Sequence, residues 1–178
     1  MKKIVLTFGL IAGAILSAMM LLTLPFHDQI GFDKGYIIGY TTMVLAFLMV
    51  FFGVRSYRDN VAGGFVTFGR AFLLGLMITL VASACYVATW EVVYYALAPD
   101  FTEKYAAYAV DKARQAGATE AQIAAKTKEM NDFAEMYKNP LVNIAFTLLE
   151  PLPVGLLFTL VTAGVLSRKR RDNVAAVA

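Results

Sequence analysis

A single cysteine and a single histidine in 178 residues close off several kinds of chemistry at once. With Cys85 alone no intrachain disulfide forms, and its place inside an apolar run points to packing rather than to a reactive thiol. His27 lies beside Asp28 in a polar turn, so neither a serine–histidine–aspartate set nor a histidine-based metal site is available. No HExxH segment and no paired aspartate motif falls in an apolar run. Gly63, Gly64 and Gly69 lack the spacing and the terminal Lys-Ser/Thr of a phosphate-binding loop, and read as a flexed interfacial turn. The chain therefore predicts no catalytic residue, no cofactor site and no metal ligand, and reads as non-enzymatic. No convincing internal repeat is present, and low complexity is confined to the Ala/Val tail 174–178, expected to be disordered.

Charge is scarce where apolar residues are abundant. The hydrophobic fraction is 59%, against roughly 45–50% in soluble chains. The excess falls in four runs, 4–24, 36–54, 71–97 and 141–166, each near or above the roughly 20 residues that cross a hydrocarbon layer as a helix. The first two and the last contain no Lys or Arg, and the whole set carries only two carboxylates, Glu91 and Glu150. This pattern predicts an all-α membrane protein of four transmembrane helices forming one domain over 1–178, with the lipid bilayer as its first partner. Lys2 and Lys3 before an apolar stretch resemble an export signal, but the stretch is long for one that is cleaved.

The net charge of +3 does not form a basic face interleaved with aromatics, so nucleic acid is not an expected partner. The cations instead read as topology anchors: Arg55, Arg58, Arg70, Arg168, Lys169, Arg170 and Arg171, together with Lys2 and Lys3. With the N-terminus inside, the cytoplasmic segments hold nine cations against two acids, and the outer segments seven against nine. Both termini are thus expected to be cytoplasmic, in a multi-pass membrane protein, with 168–178 a basic tail that could also meet anionic headgroups.

Within lipid, helices associate through close approach at small residues. Gly9, Gly13 and Ser17 supply such a face in the first run; Gly31, Gly35 and Gly39 lead into the second. Gly75, Thr79 and Ser83 supply it in the third, and Gly155, Thr159 and Ala163 in the fourth. They favour a compact bundle, and one chain leaves open whether some also make a homo-oligomer.

Glu150 stands about nine residues into the last run, some 14 Å at helical rise and close to mid-membrane. Pro151 and Pro153 follow it, each removing a helical donor, so a kink that frees carbonyls is expected there. A buried acid at a broken helix suits a proton or cation pathway, and equally a neutral, hydrogen-bonded structural kink. Glu91, beside Trp90, Tyr94 and Tyr95, reads as an interfacial acid, with a shared polar pocket with Glu150 as the alternative.

The segment 98–139 is too long for a plain connection and reads as an extracytoplasmic helical hairpin. Asp100 with Glu103, and Thr119 with Gln122, have cap spacing, and Gly117 suits the stop between them. Phe101, Tyr105 and Tyr108 share one helix face; Ile123, Met130, Phe133 and Tyr137 share another.

Certain combinations are more specific than composition: Phe51-Phe52-Gly53-Val54-Arg55-Ser56-Tyr57-Arg58, Thr67-Phe68-Gly69-Arg70-Ala71-Phe72 leading into Gly75, Tyr94-Tyr95, and Pro99-Asp100-Phe101 with Tyr105. In these, over about residues 4–167, the chain resembles a bacterial membrane-protein family catalogued as domain of unknown function 4199. The resemblance implies four spans with an outer helical segment and brings no established activity. Glu150-Pro151-Leu152-Pro153 falls outside the motifs that carry it. The leading functional expectation is a structural or accessory component presenting its outer hairpin to a protein partner. The alternative is a small transporter or proton-linked module built around Glu150.

Overall fold

A computed structural model describes residues 1–167; the expected anchors Arg168, Lys169, Arg170 and Arg171 and the tail 174–178 lie outside the described residues. Among those described, every regular element is helical. The order is α1 (Lys2–Thr23), a short 3-10 turn (Leu24–Phe26), α2 (His27–Asn60), α3 (Phe68–Val92) running into a π-helical turn (Val93–Leu97), α4 (Phe101–Gln115), α5 (Glu120–Tyr137), α6 (Pro140–Leu148) and α7 (Pro151–Leu166). Three stretches are long and apolar enough to cross a membrane: Lys2–Asn60, Phe68–Leu97 and Pro140–Leu166. The first holds both of the first two apolar runs, and the chain reverses within it. An unbroken helix would set Phe8 and Gly53 roughly 68 Å apart, yet the Phe8 ring lies against Gly53.

Helices α1, α2, α3 and α7 surround one core that includes Ala12, Phe47, Val50, Leu74, Ile78 and Ala82. Small residues set their spacing, as expected for three of the four runs. A Cβ on Gly9 would stand 2.7 Å from Val81 Cβ, and one on Gly13 would stand 2.6 Å from Cys85 Cβ. Thr89 Oγ1 donates to Ser17 Oγ at 2.7 Å one turn further along. The register therefore runs α1 parallel to α3. Across the other side of α3, Gly75 faces Thr159 and Gly155 faces Thr79, so α7 runs antiparallel to it. Thr79 Oγ1 donates to Gly155 O at 3.3 Å and lies 3.2 Å from Thr159 Oγ1. This directionality gathers Lys2, Lys3, Arg55, Arg58 and Arg70 at one end of the core. At that end Gly63 and Gly64 adopt φ of 67° and 90°, and the Gly64 N–H closes α2 on Arg58 O at 2.8 Å.

Apolar side chains cover the outside of this packing as well as filling its core. Thr79, Ser83, Thr159 and Thr162 are buried, whereas Leu10, Ile37, Leu45, Leu73, Leu157 and Val161 are exposed. An outer surface so continuously apolar is unfavourable in water and neutral in hydrocarbon.

Two expectations need correction. Gly31, Gly35 and Gly39 do not bring α2 against a neighbour, because a Cβ on any of them meets nothing within 4 Å. Gly31 instead breaks the helix, at φ 72° and ψ 164°, a conformation that glycine alone adopts without strain. Asp100 precedes α4 but forms no side-chain cap, since its ψ of 6° is not the extended geometry that aims a capping oxygen inward. Its carboxylate pairs with Lys104 at 3.1 Å. Thr119, at ψ 159°, does form the reciprocal capping box with Gln122. The last run, 141–166, breaks at Leu149 and Glu150 into α6 and α7, where the prolines predict a kink.

Candidate functional site

The division at Glu150 follows from proline chemistry. Pro151 and Pro153 carry no N–H, so the carbonyls of Thr147 and Leu149 lose their ordinary helical donors. Glu150 N reaches Thr147 O only at 3.4 Å, and α7 restarts with Pro151 in its first turn, where a missing donor does no harm. Glu150 is held at the joint, and Tyr86 Oη on α3 donates to its Oε2 at 2.6 Å. Glu150 also keeps an exposed surface, and it faces a cavity.

The cavity has a volume of about 810 Å³ and lies among α1, the glycine-rich start of α2, the end of α3, and helices α4, α5 and α6. It owes its existence to the unpartnered glycines of α2. Gly35 and Gly39 offer no side chains to fill the space beside them, and both line it. Aromatic rings line part of its wall, among them Tyr36 and Tyr40 from α2, Tyr86 and Trp90 from α3, and Tyr137 from α5. A second polar chain runs along that wall. Trp90 Nε1 donates to Tyr137 Oη at 3.0 Å, Tyr137 Oη lies 3.3 Å from Thr147 Oγ1, and Thr147 Oγ1 donates to Asn143 O at 2.8 Å. Asn143 is fully buried, and its Nδ2 has no partner among the described residues.

Helix α4 roofs the space. Phe32, just after the Gly31 break, packs on Phe101, Tyr105 and Tyr108 at centroid distances of 5.7, 5.4 and 4.8 Å. Ion pairs add two ties: Lys104 reaches Asp28 at 3.4 Å, and Lys112 meets Asp33, which also accepts from Tyr108 Oη at 2.7 Å. The Lys112 hydrogen bond, then that of Tyr108, holds the Asp33 carboxyl below the usual carboxylate range. The same contact with Asp33 raises the Lys112 ammonium above its ordinary value. His27 opens α2 at the rim, its ring edge-on to Phe32 at 4.7 Å.

The residues singled out in the sequence are thus separated. Glu150, Pro151 and Pro153 meet at the joint beside the cavity. Glu91 does not line it, and its Oε1 is buried without a hydrogen-bond partner among the described residues. Arg55 and Arg58 lie at the far end of α2, both paired with Asp59. Among the described residues no three His, Cys, Asp or Glu side chains converge as a metal site would require.

A family model, that of Protein of unknown function (DUF4199), matches residues 7–168. The chain belongs to that family. The matched span takes in all of the cavity's lining, Glu150 and Tyr86 included. The family's description assigns no activity, and neither the curated proteins nor the solved structures contain a match. Sequence reasoning misses Tyr86, Asn143 and Thr147, although Asn143 and Thr147 form a polar i, i+4 pair inside an apolar run. Tyr86 carries no such signal, because a lone tyrosine in an apolar run reads as packing.

Proposed function

We propose that the chain is a four-span protein of the bacterial inner membrane and that it is a small proton-linked binding or transport module centred on Glu150. The four spans are α1, α2, α3 and the broken α6–α7 unit, with both termini cytoplasmic and the α4–α5 pair covering the outer end. Charge supports the orientation, since Lys2, Lys3, Arg55, Arg58 and Arg70 gather at the end opposite the cavity, where positive residues resist translocation. The exposed apolar surface supports the lipid setting.

The observation that carries the functional reading is the Tyr86–Glu150 hydrogen bond at the wall of an 810 Å³ cavity. A purely structural kink needs its acid sealed among partners. Here the acid retains open surface beside a space roomy enough for water or ligand, which is the arrangement a proton-exchanging carboxyl requires. The accessory reading, in which the outer pair presents its aromatic face to a protein partner, is weaker. Phe101, Tyr105 and Tyr108 are already packed on Phe32, which leaves mainly charged faces outward.

The test is proton entry into reconstituted vesicles that hold an internal pH dye, driven by a potassium diffusion potential. Wild-type protein should acidify the lumen and Glu150→Gln should not, with both reconstituting equally. Equal rates in the two proteins would remove the proposal.

A further inference from the structure

We infer that the cavity binds an apolar organic cation, such as a quaternary onium or a protonated lipophilic amine, with Glu150 as its counter-ion. The inference rests on Glu150 being the working group of the cavity, as proposed above, and adds the ligand's chemical class.

Size comes first. A space of about 810 Å³ lies within the range of roughly 300–1,000 Å³ typical of sites for drug-sized molecules. Charge then decides the sign. The charged residues lining the cavity are three carboxylates, Asp28, Asp100 and Glu150, against one ammonium, Lys104. That ammonium sits at the rim, committed to Asp28 at 3.4 Å and Asp100 at 3.1 Å. Nothing basic stands near the Glu150 carboxylate, whose hydrogen-bond partner among the described residues is Tyr86, on Oε2. Oε1 is left to whatever enters, and the carboxylate would repel an anion there. The other titratable groups lining it are His27 at the rim and five tyrosines: Tyr36 and Tyr40 on α2, Tyr86 on α3, Tyr105 on α4 and Tyr137 on α5. Ring faces attract cations through their quadrupole, most strongly where water is excluded, and so favour a charged ligand with an apolar body.

The route in fits the same class. Helix α2 packs along α1, α3 and α7 but makes no comparable contact with α6, and the gap exposes Tyr36 and Tyr40 on one side and Phe146 and Leu149 on the other. All four also line the cavity. A lipophilic cation dissolved in the lipid interface meets this gap directly.

The experiment uses the full chain, purified in detergent, and titrates tetraphenylphosphonium calorimetrically, with tetraphenylborate as its anionic twin and triphenylphosphine oxide as a neutral one. Tetraphenylphosphonium should bind and release protons, more weakly as the pH falls. Glu150→Gln should reduce affinity about tenfold or more, and Tyr40→Leu by a smaller factor. Tetraphenylborate should not compete. Tetraphenylborate competing equally well, or unchanged affinity in a monodisperse Glu150→Gln, would overturn the inference. If that variant fails to fold, the pH dependence of wild-type binding and the Tyr40→Leu affinity decide in its place, and pH-independent binding together with unchanged affinity in Tyr40→Leu would overturn it. Binding of the neutral oxide alone, with Glu150-dependent proton flux intact, would reject the cation class and leave the proton-linked reading standing. Absence of that flux together with Glu150-independent binding would remove both.

Discussion

Tyr86 and Glu150, 64 residues apart in sequence, share a hydrogen bond of 2.6 Å that ties α3 to the joint between α6 and α7. The helical ladder is interrupted there, since two prolines have removed two helical donors. The side-chain bond substitutes for some of what the joint lost and fixes where the acid points.

Removing that bond should be measurable as coupling. Tyr86→Phe, Glu150→Ala and the double variant form a cycle in which the two single effects do not add. A coupling of about 1.5–3 kcal/mol is expected, the range for hydrogen bonds to charged groups. Reversible unfolding of the detergent-solubilised protein checks it, and strict additivity would show the bond to be energetically idle.

Two glycines predict opposite signs for the same substitution. Gly13→Ala places a methyl 2.6 Å from Cys85 Cβ and should destabilise by about 1–3 kcal/mol, the usual cost of overpacking. Gly39→Ala meets nothing within 4 Å and should stabilise by roughly 0.5–1 kcal/mol through helix propensity alone. Thermal unfolding of both in one detergent gives the comparison.

Gly31→Ala should also destabilise, for a backbone reason. At φ 72° and ψ 164° a side chain is strained whatever space surrounds it, at a cost on the order of 1–3 kcal/mol. Because Phe32 follows immediately, the variant should also loosen α4, seen as faster proteolysis at the Ala116–Thr119 turn.

The Asp33–Lys112 tie sets how α4 responds to pH. Asp33 titrates below its ordinary 3.8, so its contribution is present above 3.8 and is lost as the pH falls through the lowered value. Lys112 titrates above its ordinary 10.5, so its share is complete below 10.5 and is lost only as the pH rises through the raised value. Both groups are solvent-exposed and screened by salt, so the effect is small. Spin labels at Lys34 and Gln115 should report an unchanged separation near neutrality and a broadened one in acid below 3.8, more so at high ionic strength.

Much of the architecture is legible in the residues because local rules and packing agree. Charge-poor runs form helices, Thr119 with Gln122 closes a capping box, and the faces of Gly9, Gly13, Thr79 and Gly155 make contacts. Glu150 with its prolines marks the helix break through local backbone chemistry alone. The cavity is not legible in the same way. It depends on where a glycine-lined face has no neighbour, and Gly35 and Gly39 look in sequence like Gly9 and Gly13. Nor can spacing show that Tyr36, Tyr40, Trp90 and Tyr137, which resemble an interfacial belt, form one wall. Asp100 misleads for a local reason, since cap spacing says nothing about the ψ the residue will adopt.

The measurement closest to the central claim is infrared difference spectroscopy of membrane-reconstituted protein between acid and alkaline baths. A protonated carboxyl band assignable to Glu150 should appear in wild type, vanish in Glu150→Gln, and move to higher frequency in Tyr86→Phe as the hydroxyl donor is lost. A difference spectrum identical in wild type and Glu150→Gln would show that Glu150 exchanges no proton with its surroundings and would contradict the account.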